Sequence, residues 1–182
     1  AEEYFLGSAR NGFQGRIKLG FAEDGKLLAA DVYIVQENGA YDSFWDFRNA
    51  GDTLSLVYQP EAMRWRGIPV YTNSPLRTAQ RGPGYNQMAC VMEPLMDRAA
   101  RDLGIDRVEI RRRNAPITGS PVGQNRTPVT SCYLRDALEK GAARFNWEEK
   151  KKLSGQRNGS KVIGVGVGQA YHPAGFNGFD GL

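Results

Sequence analysis

The 182-residue sequence predicts an α+β fold, with mixed sheets and packed helices. Three observations carry that expectation: a turn-closed pair of alternating segments near the N-terminus, a one-sided helical stripe in the middle, and a second amphipathic segment beyond a proline-rich connection. In chain order, Gln14 to Phe21 places Ile17, Leu19 and Phe21 on one side and Arg16, Lys18 and Gly20 on the other. Asp24-Gly25 then supplies residues that tolerate a tight turn, and Leu27 to Gln36 is rich in β-branched and aromatic residues, so the two runs predict a hairpin. Residues 40–53 mix aromatic and polar residues without a clear period and read as a long loop, of the kind that is usually functional or buried against a partner. Ala62 to Tyr71 reads as a strand broken by Gly67 and Pro69.

From Tyr85 onward, Met88, Val91, Met92, Leu95, Met96 and Ala99 share one helical face, and Gly104 is placed to end that helix in the left-handed conformation. Asp106 with Glu109 reads as an N-cap and its reciprocal carboxylate, opening a short helix through Arg113. Residues 114–129 are loop by composition. A third helix spans about Ser131 to Phe145, burying Leu134, Ala137, Leu138, Ala142 and Phe145. After a charged connection, Lys161 to Tyr171 reads as a glycine-rich strand.

Composition excludes several classes. No apolar run approaches the roughly 20 residues of a membrane-spanning helix. Two cysteines, Cys90 and Cys132, are too few for a disulfide scaffold or a thiolate metal site, and the lone His172 excludes a site needing two imidazoles. No metal ligand set stands out. The net charge of +4 is mild, and Arg111, Arg112 and Arg113 stand close to Asp106 and Glu109, so the cations read as a solvated surface and no nucleic-acid partner is expected. Cys90, on the long helix, reads as a small buried hydrophobe. Glu93 and Asp97 lie one helical turn apart, with Arg101 positioned to pair with Asp97 on the surface.

Two stretches bear on chemistry. Thr78-Ala79-Gln80-Arg81-Gly82-Pro83-Gly84-Tyr85 precedes the long helix; its glycines hold the backbone open, and an arginine beside a helix start suits an anion. The plain alternative is a strand-to-helix turn with a surface arginine. Gly164 to Gly181 is the second, where glycines admit close approach, Gln169 would donate a hydrogen bond, and Tyr171, Phe176 and Phe179 would wall a pocket; a tightly packed sheet is its plain alternative. From residues alone, the chain reads as a piece of an α+β protein with a candidate anion-binding arginine, which names no function.

The ordered combination goes further. SARNGFQGRIKLGFAEDGKLLAADV, then NSPLRTAQRGPGYNQMACVMEPLMDRAARDLGIDRVEIRRRNA, then RTPVTSCYLRDALEKGAARFNW and a glycine-rich strand with GFNGFDG resemble the molybdenum-cofactor-binding large subunits of the xanthine oxidase (molybdenum hydroxylase) family. The resemblance covers essentially the whole chain and implies an internal segment of a larger molybdopterin-binding subunit. Residues 1–152 would be part of the cofactor-binding domain and 153–182 the start of a following glycine-rich region. It implies molybdopterin with molybdenum, as a cytosine dinucleotide form in bacteria, with [2Fe–2S] clusters and FAD on partner subunits. The implied activity hydroxylates an electron-poor carbon of a heterocycle or aldehyde with oxygen from water, passing electrons through the iron–sulfur clusters to FAD or another acceptor.

The same resemblance gives Arg81 a catalytic and cofactor-facing role, with Gly82, Gly84 and Gln169 beside the cofactor. It puts Pro83, Tyr171 and Phe176 in the substrate pocket; Pro83 stands where purine-oxidising members carry a phenylalanine, which argues against a purine substrate. The family's upstream Gly-Gly-x-Phe-Gly loop and its downstream general-base glutamate are not in these residues, so the segment is expected to be inactive alone. A cytoplasmic complex is expected, periplasmic if another segment carries an export signal. The alternative is a non-catalytic α+β domain that binds an acidic partner or nucleic acid.

Overall fold

The computed structural model describes residues 7–42, 44–123 and 125–172. Its centre is a three-stranded sheet of β2 (Phe13–Phe21), β3 (Leu27–Gly39) and β4 (Ala62–Tyr71), ordered β2-β3-β4. The hairpin β2-β3 is antiparallel, while β3 and β4 run parallel. A parallel pair needs a crossover, and helix α1 (Asp46–Tyr58) supplies it. Much of the stretch read as a loop is therefore helix. Ala50, Leu54, Val57 and Tyr58 form its buried stripe, at spacings of four, three and one. That period becomes legible only when the window extends past Thr53, and Gly51 masks it further.

Gly51 has a packing reason. A Cβ there would press on the Trp65 indole of β4, and a Cβ on Gly67 of β4 would run into the Phe47 ring of α1. Two rings thus seat on two glycines across the helix–sheet contact. β4 is continuous where the sequence suggested a break. Pro69 is tolerated because β4 is the edge of the sheet, where a missing N–H costs no ladder bond.

Helix α2 (Tyr85–Leu103) packs Met88, Met92, Met96 and Ala100 onto this core with Leu27, Val32, Ile34 and Leu54. Gly104 closes it at φ 68°, as the sequence predicts. Val91 and Cys90 are exposed, so the cysteine is not the buried hydrophobe expected. Helix α3 (Arg107–Asn114) is capped by Asp106, which accepts from the amides of Val108 (2.8 Å) and Glu109 (3.3 Å). The reciprocal half of that box is absent, because the Glu109 carboxylate binds Arg112 and Arg113 instead. Burial pushes the Asp106 carboxyl up, but the Trp147 indole, the Lys151 ammonium and the two amides outweigh it and leave the pKa below the ordinary value.

The arginine run of α3 is not a uniform solvated face. Arg111 is fully buried and meets Glu93 at 2.8 Å and Asp97 at 2.8 Å, both on α2. Glu93 also accepts from the Tyr58 hydroxyl of α1 at 2.6 Å. Asp97 therefore pairs with Arg111 and Arg107, while Arg101 turns to Asp102. One turn on, Asn114 accepts from Leu27 N (2.7 Å) and donates to Gly25 O (2.8 Å), clamping the β2-β3 turn.

Helix α4 (Leu134–Phe145) follows as predicted, but among its expected core residues only Leu138 is fully buried; Ala137 and Phe145 are exposed. A short helix α5 (Trp147–Lys150) anchors it. Short pairs complete the description: β1 (Ala9–Arg10) with β5 (Arg77–Thr78) in parallel, β6 (Pro121–Val122) with β7 (Thr127–Pro128), and β8 (Arg157–Asn158) with β9 (Lys161–Val162). Ile163 still bonds Gln156 O and Gly155 N, but from Gly164 to Tyr171 the glycine-rich segment belongs to no strand among the described residues, so the anticipated strand is paired only at its start.

Removing one member of a buried ion pair leaves its partner desolvated and costs about 3–5 kcal/mol. Arg111→Ala in the intact subunit is expected to lower the unfolding free energy read from denaturant titration by that much, whereas Arg112→Ala on the exposed side of α3 should barely move it. Equal small shifts would contradict the role assigned to Arg111.

Candidate functional site

The turn Arg81–Gly84 is built from below. Gly82 and Gly84 have φ of 73° and 76°, where a side chain would be strained. A Cβ on Gly84 would strike the Asp46 carbonyl, so the start of α2 lies directly on the start of α1. The carbonyls of Arg81, Gly82 and Pro83 are each taken by a side chain, and that of Gly84 accepts from Met88 N (3.0 Å). Arg10 Nη2 donates to Arg81 O (2.6 Å) and its Nη1 to Gly82 O (3.1 Å). Asn86 Nδ2 also donates to Arg81 O (3.2 Å), and Asn49 Nδ2 of α1 to Pro83 O (3.0 Å).

Gln87 links the pieces, accepting from Gly84 N (2.9 Å) and Arg10 (3.3 Å) and donating to Asp46 Oδ2 (3.2 Å) and Asn11 O (3.3 Å). With the carbonyls drawn inward, the amides of Arg81 and Gly82 have no acceptor among the described residues, and the exposed Arg81 guanidinium meets no carboxylate there. The Gly84 amide, expected to be open, is spent on Gln87.

Asp46 lies beneath the turn, fully buried, with Oδ1 unpartnered among the described residues. Burial raises its carboxyl above the ordinary value; Gln87, Asn11 and the Arg10 charge only partly offset that. Tyr85, the first residue of α2, stands edge-on to Tyr171 at 5.3 Å between ring centroids. Its hydroxyl pKa is pushed up to about 12, chiefly by burial and then by Tyr171 and the Asp52 and Asp46 charges. Tyr171 and Asp52 border a hollow of about 310 Å³ with Gly123, Asn125 and Thr127.

The structure thus brings together Arg81, Gly82, Pro83, Gly84 and, through Tyr85, Tyr171. Gln169 makes no hydrogen bond to the turn. It is buried beside Leu134 and Leu138 of α4 with both amide atoms unpartnered among the described residues. Phe176 and Phe179 lie outside the described residues. Reading the sequence missed Arg10, Asn49, Asp46 and Gln87. Only Gln87, three residues after the cap at Gly84, had a local signal.

Gly84→Ala is expected to cost more than about 2 kcal/mol, from left-handed strain plus backbone collision. Gly104→Ala, at φ 68° with open space around it, should cost about 1 kcal/mol; equal denaturation midpoints would refute the packing argument. The Asp46 carboxyl is raised in the folded state, so the unfolded chain ionises first and folding loses stability as pH climbs from about 3.8 through the raised value. Asp46→Asn removes that loss. The variant-minus-wild-type stability should rise across this window and level off above it.

The model of the molybdopterin cofactor-binding domain family matches residues 1–115. The xanthine dehydrogenase molybdenum-binding subunit of Escherichia coli O157:H7 is 33% identical over 169 residues, covering 91% of this chain and 22% of that protein. Among solved structures, quinoline 2-oxidoreductase from Pseudomonas putida 86 superposes with a TM-score of 0.67 at 27% identity, covering 79% of this chain and 19% of that one. Aldehyde oxidoreductase from Desulfovibrio gigas gives 0.63 at 27% identity, with 80% and 16% covered. The chain spans about a fifth of the length of the curated relative it matches. With its turn, helices and sheet in that arrangement, the chain belongs to the molybdopterin cofactor-binding domain family, that of the xanthine dehydrogenase molybdenum-binding subunits.

Proposed function

We propose that this chain forms one wall of the cofactor and substrate chamber of a molybdenum hydroxylase, an oxidoreductase acting on an electron-poor carbon of a heterocycle or aldehyde. The observation that carries this reading is the braced turn, which turns its carbonyls inward and leaves a cation and two amides unclaimed among the described residues. That donor set fits the anionic oxygens of a molybdopterin group, and no acceptor among the described residues competes for it. When bound, the metal–pterin group supplies two-electron oxidation with oxygen drawn from water.

The chain's own residues do the positioning. Arg81 and the Arg81 and Gly82 amides hold negative charge at a fixed point, and the brace from Arg10, Asn49 and Gln87 means the donors need no rearrangement as charge develops. Pro83 and Tyr171 wall the substrate side; Pro83 presents no flat ring for a purine to stack on. Gly82 keeps the backbone thin enough for close approach.

A molybdopterin cytosine dinucleotide form, a two-[2Fe–2S] subunit and an FAD subunit complete the proposed assembly, with electrons leaving through the clusters, and we place it in the cytoplasm. No helix among the described residues is long and apolar enough to cross a membrane.

Elemental analysis of the purified intact complex tests the reading: molybdenum stoichiometric with this chain is expected, with iron in the partner. In that complex, Arg81→Ala should lower kcat/KM by about 100-fold, the scale of one lost oxyanion-type donor, with the thermal midpoint unchanged. Wild-type turnover would remove Arg81 from the mechanism.

A further inference from the structure

Asp46 opens α1 directly beneath the Arg81–Gly84 turn, and its carboxyl is sealed: the residue has no exposed surface, and Oδ1 has no partner among the described residues. That burial holds in any longer polypeptide. Further chain packed against these residues removes surface and cannot restore it. Asn11, whose side chain lies against the Asp46 carboxyl, also has its Oδ1 buried and unpartnered there, while its Nδ2 donates to Phe44 O (3.1 Å). Gln36 Nε2 donates to the same carbonyl (2.8 Å), and Gln36 Oε1 accepts from Phe47 N (2.9 Å). The neutral groups of this pocket are therefore committed, apart from Gln87 Nε2, which donates to Asp46 Oδ2 (3.2 Å).

No cation pairs with Asp46 among the described residues. Arg10 of β1 contributes its charge from nearby, but its donors go to Arg81 O, Gly82 O and Gln87 Oε1. Gln36 and Asn38 of β3 are neutral. Tyr85 of α2 is the titratable group that feels Asp46, together with Asp52 further along α1 and Tyr171; His172 stands beside the Tyr85 ring at 5.8 Å. Arg10 and Gln87 thus brace the turn and border the carboxyl at once. An anion on Arg81 and the two free amides would lie on the outer side of that same turn. It would place a second negative charge against the single guanidinium of Arg10, and a dry interior screens their repulsion poorly.

We propose that the turn binds its anion together with a proton: as the anion settles on Arg81 and the Arg81 and Gly82 amides, Asp46 Oδ1 takes a proton from the solvent and becomes neutral. The proposal rests on the anion-binding reading above. The proton removes the charge that opposes the anion and supplies a donor where two acceptors lack one. The coupling is reciprocal, so protonated Asp46 favours the anion, on the scale of about tenfold. Because the protonated form is the one favoured, anion affinity falls as pH rises through the titration of Asp46.

Sulfate is the probe, since it keeps its double charge wherever a carboxyl titrates. Calorimetric titration of sulfate into the intact complex, purified from cells unable to make the cofactor, in two buffers of different ionisation enthalpy counts the protons taken up. Uptake approaching one proton per sulfate is expected over a window above the ordinary carboxyl value, with affinity about tenfold higher on its acid side. Asp46→Asn should bind sulfate without uptake and with one affinity across the window, and Arg81→Ala should bind it far more weakly. Infrared difference spectra on sulfate addition should gain the C=O stretch of an un-ionised carboxyl, a wild-type measurement that stands even if Asp46→Asn fails to fold. Sulfate bound through Arg81 without proton uptake and without that band, or with uptake that survives Asp46→Asn, overturns the coupling and leaves the anion site in place. Sulfate that does not bind, or binds regardless of Arg81, overturns the coupling and the anion site together, while the molybdenum content of the loaded complex decides the wider reading by itself.

Discussion

The buried guanidinium of Arg111 is the constraint on which the architecture turns. A cation fully withdrawn from water is tolerated only where opposite charge and hydrogen-bond acceptors surround it. Here these come from Glu93 and Asp97 on α2 and from the Arg107 and Glu93 carbonyls. Because Glu93 also holds the Tyr58 hydroxyl, the network joins the C-terminal end of α1, the middle of α2 and the whole of α3. Burial, and after it the charge and hydrogen bond of Glu93, push the Tyr58 pKa far above its ordinary value. The phenol therefore stays a donor at any physiological pH. The three helices are held by directional bonds as well as by the methionine-rich packing of α2, which by itself would specify their orientation only loosely.

From that base the candidate site follows. With α1 and α2 fixed at one end, their N-terminal ends meet at the other, where Gly84 rests on the Asp46 carbonyl. The turn is therefore positioned by two helices rather than carried on a free loop, and its conformation is over-determined by Arg10, Asn49, Asn86 and Gln87. This is the arrangement that electrostatic preorganisation requires: donors aimed outward whose orientation is set before a ligand arrives. The buried Asp46 carboxylate is tolerated beneath it because Gln87 shares its bonds between Asp46, Gly84 and Arg10.

Much of this was legible in the sequence and some of it was not, for identifiable reasons. The hairpin, the long helix with its glycine stop and the Asp106 cap are encoded within a few residues, and local rules find them. The helix Asp46–Tyr58 was hidden because Gly51 and Phe47 answer to Trp65 and Gly67 of β4, 14 and 20 positions further on, rather than to helix propensity. Arg111 resembled its neighbours Arg112 and Arg113, and only the fold distinguishes a buried guanidinium from two solvated ones. The turn at Arg81 was visible as a pattern, but its brace comes from residues up to 72 positions distant. The placing of Arg16 and Arg66 on either side of Tyr33 was invisible for the same reason: strand register, not sequence proximity, sets it.

The paired seating of Trp65 on Gly51 and Phe47 on Gly67 has a mechanical corollary. Each ring fills space that only a glycine leaves open, so α1 cannot slide or roll over β4 as a rigid rod without displacing an aromatic side chain. Asn49 and Asp46 ride on that rod. The underside of the Arg81–Gly84 turn is thereby clamped to the sheet's edge, so a shift of that turn has to come from the residues above it and not from the scaffold that carries it.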